Sequence, residues 1–208
     1  MKKREFKDNK AIRIPADVST DRVKDLIQGS YMRNNGARDL GSKHGLKLDD
    51  SLSNAENKVY VDKKGNPTIA YTGSRKISDW LVSNPMLALG LEKYSPRFRR
   101  SEKVLTAVRK KYNKPIAVLG HSLGGAIASS VGKGNDKIIT VDKGVGWGGV
   151  GKKLGSNETS IRTSNDIVSA LSNTQSGGRK VTIKGKSDFN LLRAHDYKQL
   201  SKLNGKMI

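Results

Sequence analysis

Apolar runs and amphipathic segments alternate along this chain, and their order predicts an α/β fold. Continuous or alternating apolar positions predict strands at residues 58–62, 68–72, 116–119, 137–141, 160–163 and 180–184. Apolar positions that recur every three or four residues predict helices at residues 23–31, 101–112 and 126–131. Because helical segments separate the later strands, we expect those strands to be parallel. The predicted architecture is a mostly parallel central sheet flanked by helices.

Polar and glycine-rich stretches predict the connections between these elements. Residues 63–67 (Lys-Lys-Gly-Asn-Pro) are typical of a hairpin turn between the first two strands. Residues 33–56 are expected to be mainly loop with one short helix, and residues 144–155, which contain six glycines, a flexible loop. A capping signal, Ser19-Thr20-Asp21, precedes the first helix.

The length of 208 residues fits one domain with a sizeable core. Residues 1–18 are polar, charged and aperiodic, so we expect a basic N-terminal arm on the surface. Residues 19–208 are predicted to form a single domain, because no linker divides them. No stretch has the length and apolar character of a signal peptide or a membrane span, so we expect the protein to be soluble as made.

A large positive charge indicates partners that are polyanions. Forty Lys and Arg residues against nineteen Asp and Glu give a formal net charge of +21. Residues 93–114 and 177–208 are especially basic. Phospholipid head groups and nucleic acid are the two candidates. Aromatic residues are sparse and no nucleic-acid-binding motif is visible, so contact with nucleic acid would be electrostatic only.

The sequence contains no cysteine, so it offers neither disulfides nor thiolate metal ligands. Its three histidines are scattered and no cluster of acidic ligands is visible, so we expect no metal and no cofactor. Any catalysis therefore has to use the side chains of the chain itself.

The strongest chemical signal is the segment at residues 120–125 (Gly-His-Ser-Leu-Gly-Gly), between a predicted strand and a predicted helix. A Gly-x-Ser-x-Gly turn in that setting is typical of a nucleophile elbow, in which a strained serine exposes its hydroxyl. The N–H of Leu123 would point at the oxyanion formed when Ser122 attacks a carbonyl. The simpler alternative is a glycine-rich turn in which Ser122 only caps the helix. The elbow predicts an acyl-transfer hydrolase.

His195 is predicted to be the general base for Ser122. A serine hydroxyl needs an imidazole to take its proton, and the imidazole needs a carboxylate to hold it. His121 lies within the elbow, where its side chain points away from that of the serine, and His44 precedes the sheet. His195 follows the last predicted strand, where hydrolases of this type carry their base. The alternative is a surface histidine beside Asp196.

Asp166 is predicted to be the carboxylate that orients His195. It follows a predicted strand, at the carboxyl end where α/β sheets place functional groups. The order Ser122, Asp166, His195 is the one expected of α/β-hydrolases. Asp142, at the end of the preceding strand, is the main rival, and Asp188 is a weaker one. Asp166 could also merely cap a turn.

A second oxyanion donor is predicted at Thr72-Gly73-Ser74, where a strand ends in a loop. Hydrolases with this elbow take the second donor from such an earlier strand-to-loop junction. Ser74 offers both its backbone N–H and its hydroxyl. The alternative is an ordinary turn.

The segment at residues 75–92 is more apolar than a short surface connection requires, and it is predicted to be a movable lid that opens onto lipid. Its apolar side chains include those of Ile77, Trp80, Leu81, Val82, Met86 and Leu87. The alternative is that these side chains complete the core. Basic residues that flank the segment would attract an anionic membrane, namely Arg75, Lys76, Arg97, Arg99 and Arg100.

Five blocks of the chain resemble the fungal-type (class 3) lipases of the α/β-hydrolase superfamily. The blocks are residues 68–74, 79–81, 120–126, 165–168 and 195–197, and the likeness spans residues 58–200. The resemblance implies that Ser122 is the nucleophile and that Asp166 and His195 complete the triad. It also implies that Ser74 is an oxyanion donor and that the segment after it is a lid over an acyl-binding groove.

Two departures from the family pattern affect these expectations. Lipases of this family usually carry Arg before the Gly-Ser or Gly-Thr pair, whereas this chain has Thr72, so the support beneath the oxyanion loop must differ. The chain is also short and unusually basic, with a loop of glycines where the family has a Gly-x-Pro-like turn. These departures bear on the substrate class more than on the fold.

Together these observations predict a serine carboxylic ester hydrolase that acts on lipid, as a lipase or a phospholipase, through an acyl-Ser122 intermediate. The high charge favours phospholipid or an anionic interface over neutral oil. The alternative is a weakly active or inactive hydrolase-fold protein that binds nucleic acid or acidic partners. A peptidase or thioesterase using the same triad is a third option. We expect the protein in the cytoplasm, peripherally on membranes or packaged in a viral particle.

Overall fold

The computed structural model describes residues 17–74, 95–185 and 194–208, and these residues form the α/β architecture expected from the sequence. Within them seven strands make one sheet in sequence order: β1 (Lys47–Leu48), β2 (Asn57–Val61), β3 (Pro67–Tyr71), β4 (Ala117–His121), β5 (Lys137–Val141), β6 (Lys153–Thr163) and β7 (Ser176–Ile183). Neighbours from β1 to β3 are antiparallel, and neighbours from β3 to β7 are parallel. The predicted mostly parallel sheet is therefore confirmed.

Helices cover both faces of this sheet. The described residues contain α1 (Thr20–Ser30), α2 (Asn34–Ser42), α3 (Pro96–Tyr112) and α4 (Leu123–Val131), with short 3₁₀ helices at Trp147–Gly149, Ala170–Thr174 and Tyr197–Leu203. Side chains alternate along each strand, so they divide between two cores. One core joins α1 to Tyr60, Ala70, Leu119 and Ile139. The other joins α3 and α4 to Val59, Ile69, Val118 and Ile138.

Two helices begin earlier than the sequence predicts, whereas α1 begins directly after Ser19, the first residue of the predicted capping signal. α3 begins at Pro96 rather than residue 101, because the Ser95 hydroxyl accepts the N–H of Arg97 (3.2 Å) and proline suits the first helical position. The run of basic residues hides this first turn, although Phe98 is buried. α4 begins at Leu123 rather than residue 126, since the glycines that suggest a turn lie inside the helix.

The last two strands also start earlier than predicted. β6 starts at Lys153 rather than residue 160, and much of its first half is exposed, so hydropathy does not reveal it. Its pairing with β7 shifts register between Leu154 and Thr159. Gly177 and Gly178 have φ angles of 70° and 59°, so residues typical of a turn form the start of β7.

The two ends of the described chain pair with each other. Val18 and Ile208 exchange two backbone hydrogen bonds of 2.9 and 3.0 Å, and both side chains are buried. Val18 is therefore packed, whereas the rest of the predicted arm, apart from Asp17, lies outside the described residues. Within the described ranges, no helix has both the length and the apolar character needed to cross a membrane.

Candidate active site

Ser122 occupies the tight turn between β4 and α4. Its backbone has φ 57° and ψ −125°, a conformation that residues other than glycine adopt at a cost of about 1–3 kcal/mol. A Cβ on Gly120 would collide with the backbone of Gly124, and a Cβ on Gly124 would collide with the carbonyl of Tyr71. The two glycines of the pattern thus allow β4, α4 and the end of β3 to cross closely, with Ser122 at the crossing point.

His195 and Asp166 form a buried pair. Nδ1 of His195 lies 3.0 Å from Oδ2 of Asp166, and both side chains are fully inaccessible to solvent. The carboxylate accepts the proton on Nδ1, so Nε2 of the neutral ring carries a lone pair. Nε2 is buried and has no hydrogen-bond partner in the described part of the chain. The pair therefore has the form of an oriented general base with its accepting nitrogen unused.

Hydrogen bonds keep Asp166 ionised. Burial alone would raise the pKa of this carboxyl, but it accepts from the ring of His195 and from the N–H groups of Val168 (3.1 Å) and Ser169 (3.0 Å). These bonds outweigh burial and hold the pKa of Asp166 below its usual value. A charged carboxylate at this position can stabilise an imidazolium on His195.

Asp142, the alternative candidate for orienting His195, forms its hydrogen bonds with Thr163. It follows β5 with φ 42° and is 1% exposed. Its oxygens accept the N–H (2.6 Å) and the hydroxyl (3.2 Å) of Thr163. Burial raises the pKa of Asp142 to about 7, although the Thr163 N–H lowers it and the charge of Asp166 raises it further. The structure thus pairs His195 with Asp166, while Asp188 lies outside the described residues.

Asp142→Asn is expected to stabilise the fold at neutral pH. The pKa of Asp142 rises from 3.8 to about 7 on folding, so between these values the folded protein holds a proton that the unfolded chain releases. This group therefore makes the free energy of unfolding fall as pH rises, by up to about 1.4 kcal/mol per pH unit. Asparagine removes that contribution and still accepts the N–H of Thr163.

The readout is the difference in unfolding free energy between the variant and the wild type, from urea titrations at several pH values between about 4 and 8. Burial lowers the pKa of His121 to about 3, so this histidine makes the free energy of unfolding rise with pH. Because His121 is present in both proteins, its contribution cancels in the difference. We expect the advantage of the variant to grow with pH and to level off above the pKa of Asp142. A difference that does not change with pH would contradict the assignment.

The predicted oxyanion loop lies against the elbow. A Cβ on Gly73 would be 2.7 Å from the carbonyl oxygen of His121 and 3.3 Å from Cβ of Ser122. Ser74, the next residue, is partly buried, and Leu123 is the first residue of α4, where backbone N–H groups have no partner within the helix. The structure therefore brings the loop at Gly73 and the start of α4 to the same serine.

Arg97 supports this loop from α3. One of its terminal nitrogens, Nη2, donates to the carbonyl oxygens of Thr72 and Glu56, both at 3.0 Å, and Nη1 lies 2.9 Å from the Glu56 carboxylate. The hydroxyl of Thr72 donates to the carbonyl of Ser30 (2.7 Å). A guanidinium from a distant helix thus supports the loop at Thr72, the position at which the lipase pattern carries arginine.

The position of Arg97 differs from the prediction that all five flanking basic residues face a membrane. Arg97 was expected to face an anionic membrane, but its side chain is only 21% exposed and its guanidinium is held by Glu56 and Thr72. Arg99 and Arg100 are exposed, as expected, although Arg100 also pairs with the Glu56 carboxylate (2.7 Å). Arg75 and Lys76 lie outside the described residues, as do the six predicted lid and acyl-binding residues, Ile77, Trp80, Leu81, Val82, Met86 and Leu87.

A cavity of about 260 Å³ lies beside α4. Its walls include Phe98, Ala126, Ser129, Lys143 and Gln175, and the ammonium of Lys143 forms a buried ion pair with Glu158 (2.7 Å). Ser122, His195 and Asp166 do not line it, so it is separate from the arrangement described above. Within the described ranges, no group of three or more His, Cys, Asp or Glu residues could hold a metal ion.

Solved structures of fungal lipases share the fold. The triacylglyceride lipase of Rhizomucor miehei is 22% identical over 81% of this chain and 80% of that one, with a TM-score of 0.50. A mutant form of MDLA from Penicillium cyclopium is 17% identical over 80% and 78% (TM-score 0.49), and a mono- and diacylglycerol lipase from Aspergillus oryzae is 19% identical over 73% and 72% (TM-score 0.44). The Rhizomucor miehei structure thus confirms the resemblance to class 3 lipases for the fold.

Sequence comparison gives the family. A search of curated proteins found no match. The family model described as phospholipase-like, Tle-like phospholipase domain, matches residues 27–137, which is more than half of the 208 residues. The matched region contains the predicted oxyanion loop, α3, the turn at Ser122 and α4. The chain therefore belongs to the family of Tle-like phospholipase domains.

Proposed function

We propose that the protein is a serine carboxylic ester hydrolase that acts on lipid, with Ser122 as nucleophile, His195 as general base and Asp166 as the orienting carboxylate. One observation carries the proposal. The His195–Asp166 hydrogen bond is buried and leaves Nε2 of His195 without a partner in the described residues, and the His195 ring lies 4.8 Å, centroid to centroid, from the ring of His121, the residue before Ser122. An oriented imidazole whose accepting nitrogen is free is what acyl-transfer chemistry on a serine requires of its general base.

The reaction proceeds through an acyl-enzyme. Asp166 keeps the proton of the neutral ring on Nδ1, so Nε2 of His195 takes the hydroxyl proton as Oγ of Ser122 attacks the ester carbonyl carbon. The N–H of Leu123 and the donors of Ser74 stabilise the resulting oxyanion. Collapse breaks the bond to the alcohol, which leaves with the proton from His195. Water then attacks the acyl-serine with the same base and releases the fatty acid.

Charge and family both favour phospholipid at an anionic surface as the substrate. The first turns of α3 carry exposed Arg99, Arg100 and Lys103. The contact of Arg97 with Thr72 puts the start of this helix at the same edge of the sheet as the elbow. Each basic residue near an anionic membrane contributes about 1 kcal/mol of attraction. The net charge of +21 acts in the same direction.

The test combines covalent labelling with a lipid assay. The wild-type protein is treated with a fluorophosphonate probe, and the labelled peptide is mapped by mass spectrometry, while fatty-acid release is followed from anionic phospholipid vesicles and from a triglyceride emulsion. We expect label on Ser122 and faster release from the vesicles. An absence of labelling together with no hydrolysis of either lipid would contradict the proposal.

A second function is favoured by the exposed basic residues of α3 and by the overall charge. A hydrolase fold with little activity could bind nucleic acid or acidic partners through these residues. This alternative predicts salt-sensitive binding that is unchanged by Ser122→Ala. Binding of short DNA measured at two ionic strengths, beside the lipid assay, separates the two functions.

A further inference from the structure

Three hydrogen bonds join the oxyanion loop to the backbone of the general base. The N–H of Gly73 donates to the hydroxyl oxygen of Tyr31 (3.0 Å), and that oxygen lies 3.1 Å from Nδ1 of His121. Nε2 of His121 lies 2.9 Å from the carbonyl oxygen of His195. Tyr31 comes from the end of α1, so four separate parts of the chain meet in this row of contacts.

The row begins at an N–H group, which can only donate, and ends at a carbonyl oxygen, which can only accept, and these two groups fix the position of every proton between them. A carbonyl oxygen only accepts, so Nε2 of His121 must carry a proton and donate it to His195. Nδ1 of the neutral ring then accepts, which requires the hydroxyl of Tyr31 to donate. The same hydroxyl oxygen accepts from Gly73. Every donor in the row therefore meets an acceptor, and only one tautomer of His121 fits.

Burial keeps both side chains neutral over the working pH range. It lowers the pKa of His121 to about 3, with a smaller contribution from the charge of His195, and it raises the pKa of Tyr31 to about 12. Tyr197 stacks on Tyr31 with ring centroids 6.0 Å apart and meets His121 edge-on at 5.5 Å. The row thus persists over the pH range in which an esterase works.

We propose that Tyr31 is a positioning residue, which through Gly73 and His121 sets the distance between the oxyanion donors and the general base. The proposal rests on the ester hydrolase function given above. Gly73 precedes the predicted donor Ser74 and touches the elbow so closely that a Cβ would lie 2.7 Å from the carbonyl oxygen of His121. A displacement of about 1 Å at such a site can cost about 100-fold in rate. Without the hydroxyl of Tyr31, the N–H of Gly73 and Nδ1 of His121 both lose their partner, and only the hydrogen bond from His121 to His195 remains.

Tyr31→Phe tests the proposal, because it removes the hydroxyl and keeps the stacked ring. We expect kcat on anionic phospholipid vesicles to fall by about 10- to 100-fold while KM stays within about twofold, since substrate binding is untouched. The rate of fluorophosphonate labelling of Ser122 should fall by the same factor. The matched control is Tyr60→Phe, which removes a buried hydroxyl that has no hydrogen-bond partner in the described residues and should leave kcat unchanged.

A second measurement tests the row without using activity. Nitrogen NMR of the wild-type histidine rings should show His121 neutral, protonated at Nε2 and untitrated down to about pH 5. Protonation at Nδ1, or titration near neutral pH, overturns the proposal whatever the assay gives. A folded Tyr31→Phe protein with wild-type kcat also overturns it. A wild type that neither labels nor hydrolyses, but shows this tautomer, contradicts the hydrolase function and leaves the row itself in place.

Discussion

Ser122→Ala is expected to lower kcat/KM for ester hydrolysis by about 10⁴- to 10⁶-fold, because the variant lacks the hydroxyl that the proposed acyl intermediate requires. The remaining rate would come from the oxyanion donors and from substrate binding, which the substitution leaves intact. The measurement is fatty-acid release from anionic phospholipid vesicles, with short-chain p-nitrophenyl esters in parallel. Binding to the vesicles should be unchanged.

The matched control for this variant is Ser101→Ala. Ser101 is a buried serine on α3 whose hydroxyl has no hydrogen-bond partner in the described part of the chain, so its loss removes the same atom without orphaning another group. We expect wild-type activity from this control. Ser122→Ala protein that is folded and hydrolyses lipid at the wild-type rate would rule out Ser122 as the nucleophile.

Asp166→Asn is expected to lower kcat by about 10⁴-fold while the protein remains folded. An amide at this position can donate to Nδ1 of His195, which moves the ring proton to Nε2 and removes the lone pair that must accept the proton of Ser122. The amide also fails to stabilise the imidazolium. The measurement is kcat on the lipid substrate, with thermal unfolding recorded for each variant.

Asp142→Asn is the matched control for Asp166→Asn. Both aspartates are buried at the carboxyl ends of neighbouring strands, but the hydrogen bonds of Asp142 go to Thr163. Its replacement should therefore leave kcat close to that of the wild type. The reverse outcome, a large loss with Asp142→Asn and a small loss with Asp166→Asn, would transfer the orienting role to Asp142.

Those parts of the site that depend on short stretches of sequence could be predicted. The elbow is one continuous segment, and the glycines on either side of Ser122 are required by its backbone crossing, so the pattern and the geometry are tied together. Asp166 and His195 were predicted from their order after the strands, and the structure brings the two side chains into contact. Their roles in catalysis remain predictions.

The supporting contacts of the site could not be predicted, because they join residues far apart in the sequence. Tyr31 ends α1 and reaches Gly73 and His121, and a tyrosine at helical spacing reads as one more core residue. The sequence groups Arg97 with exposed basic residues, because its partner Glu56 lies 41 positions earlier, in the loop before β2. Thr72 was the one signal, because it showed that the usual support beneath the loop was absent.

The starts of β6 and β7 could not be predicted from local composition either. The first half of β6 is largely exposed, and β7 begins with two glycines at positive φ, so neither stretch has the apolar alternation that marks a strand. Their pairing depends on backbone hydrogen bonds with a neighbouring strand. Such pairing is a tertiary property that hydropathy along one segment does not record.

Arg97 also ties together the two points at which residues 75–94 leave and rejoin the described fold. Thr72 lies just before that segment and Arg97 just after it, and the hydrogen bond between them holds both points in place. The bond therefore holds the end of β3 directly against the first turn of α3, across 25 positions of sequence.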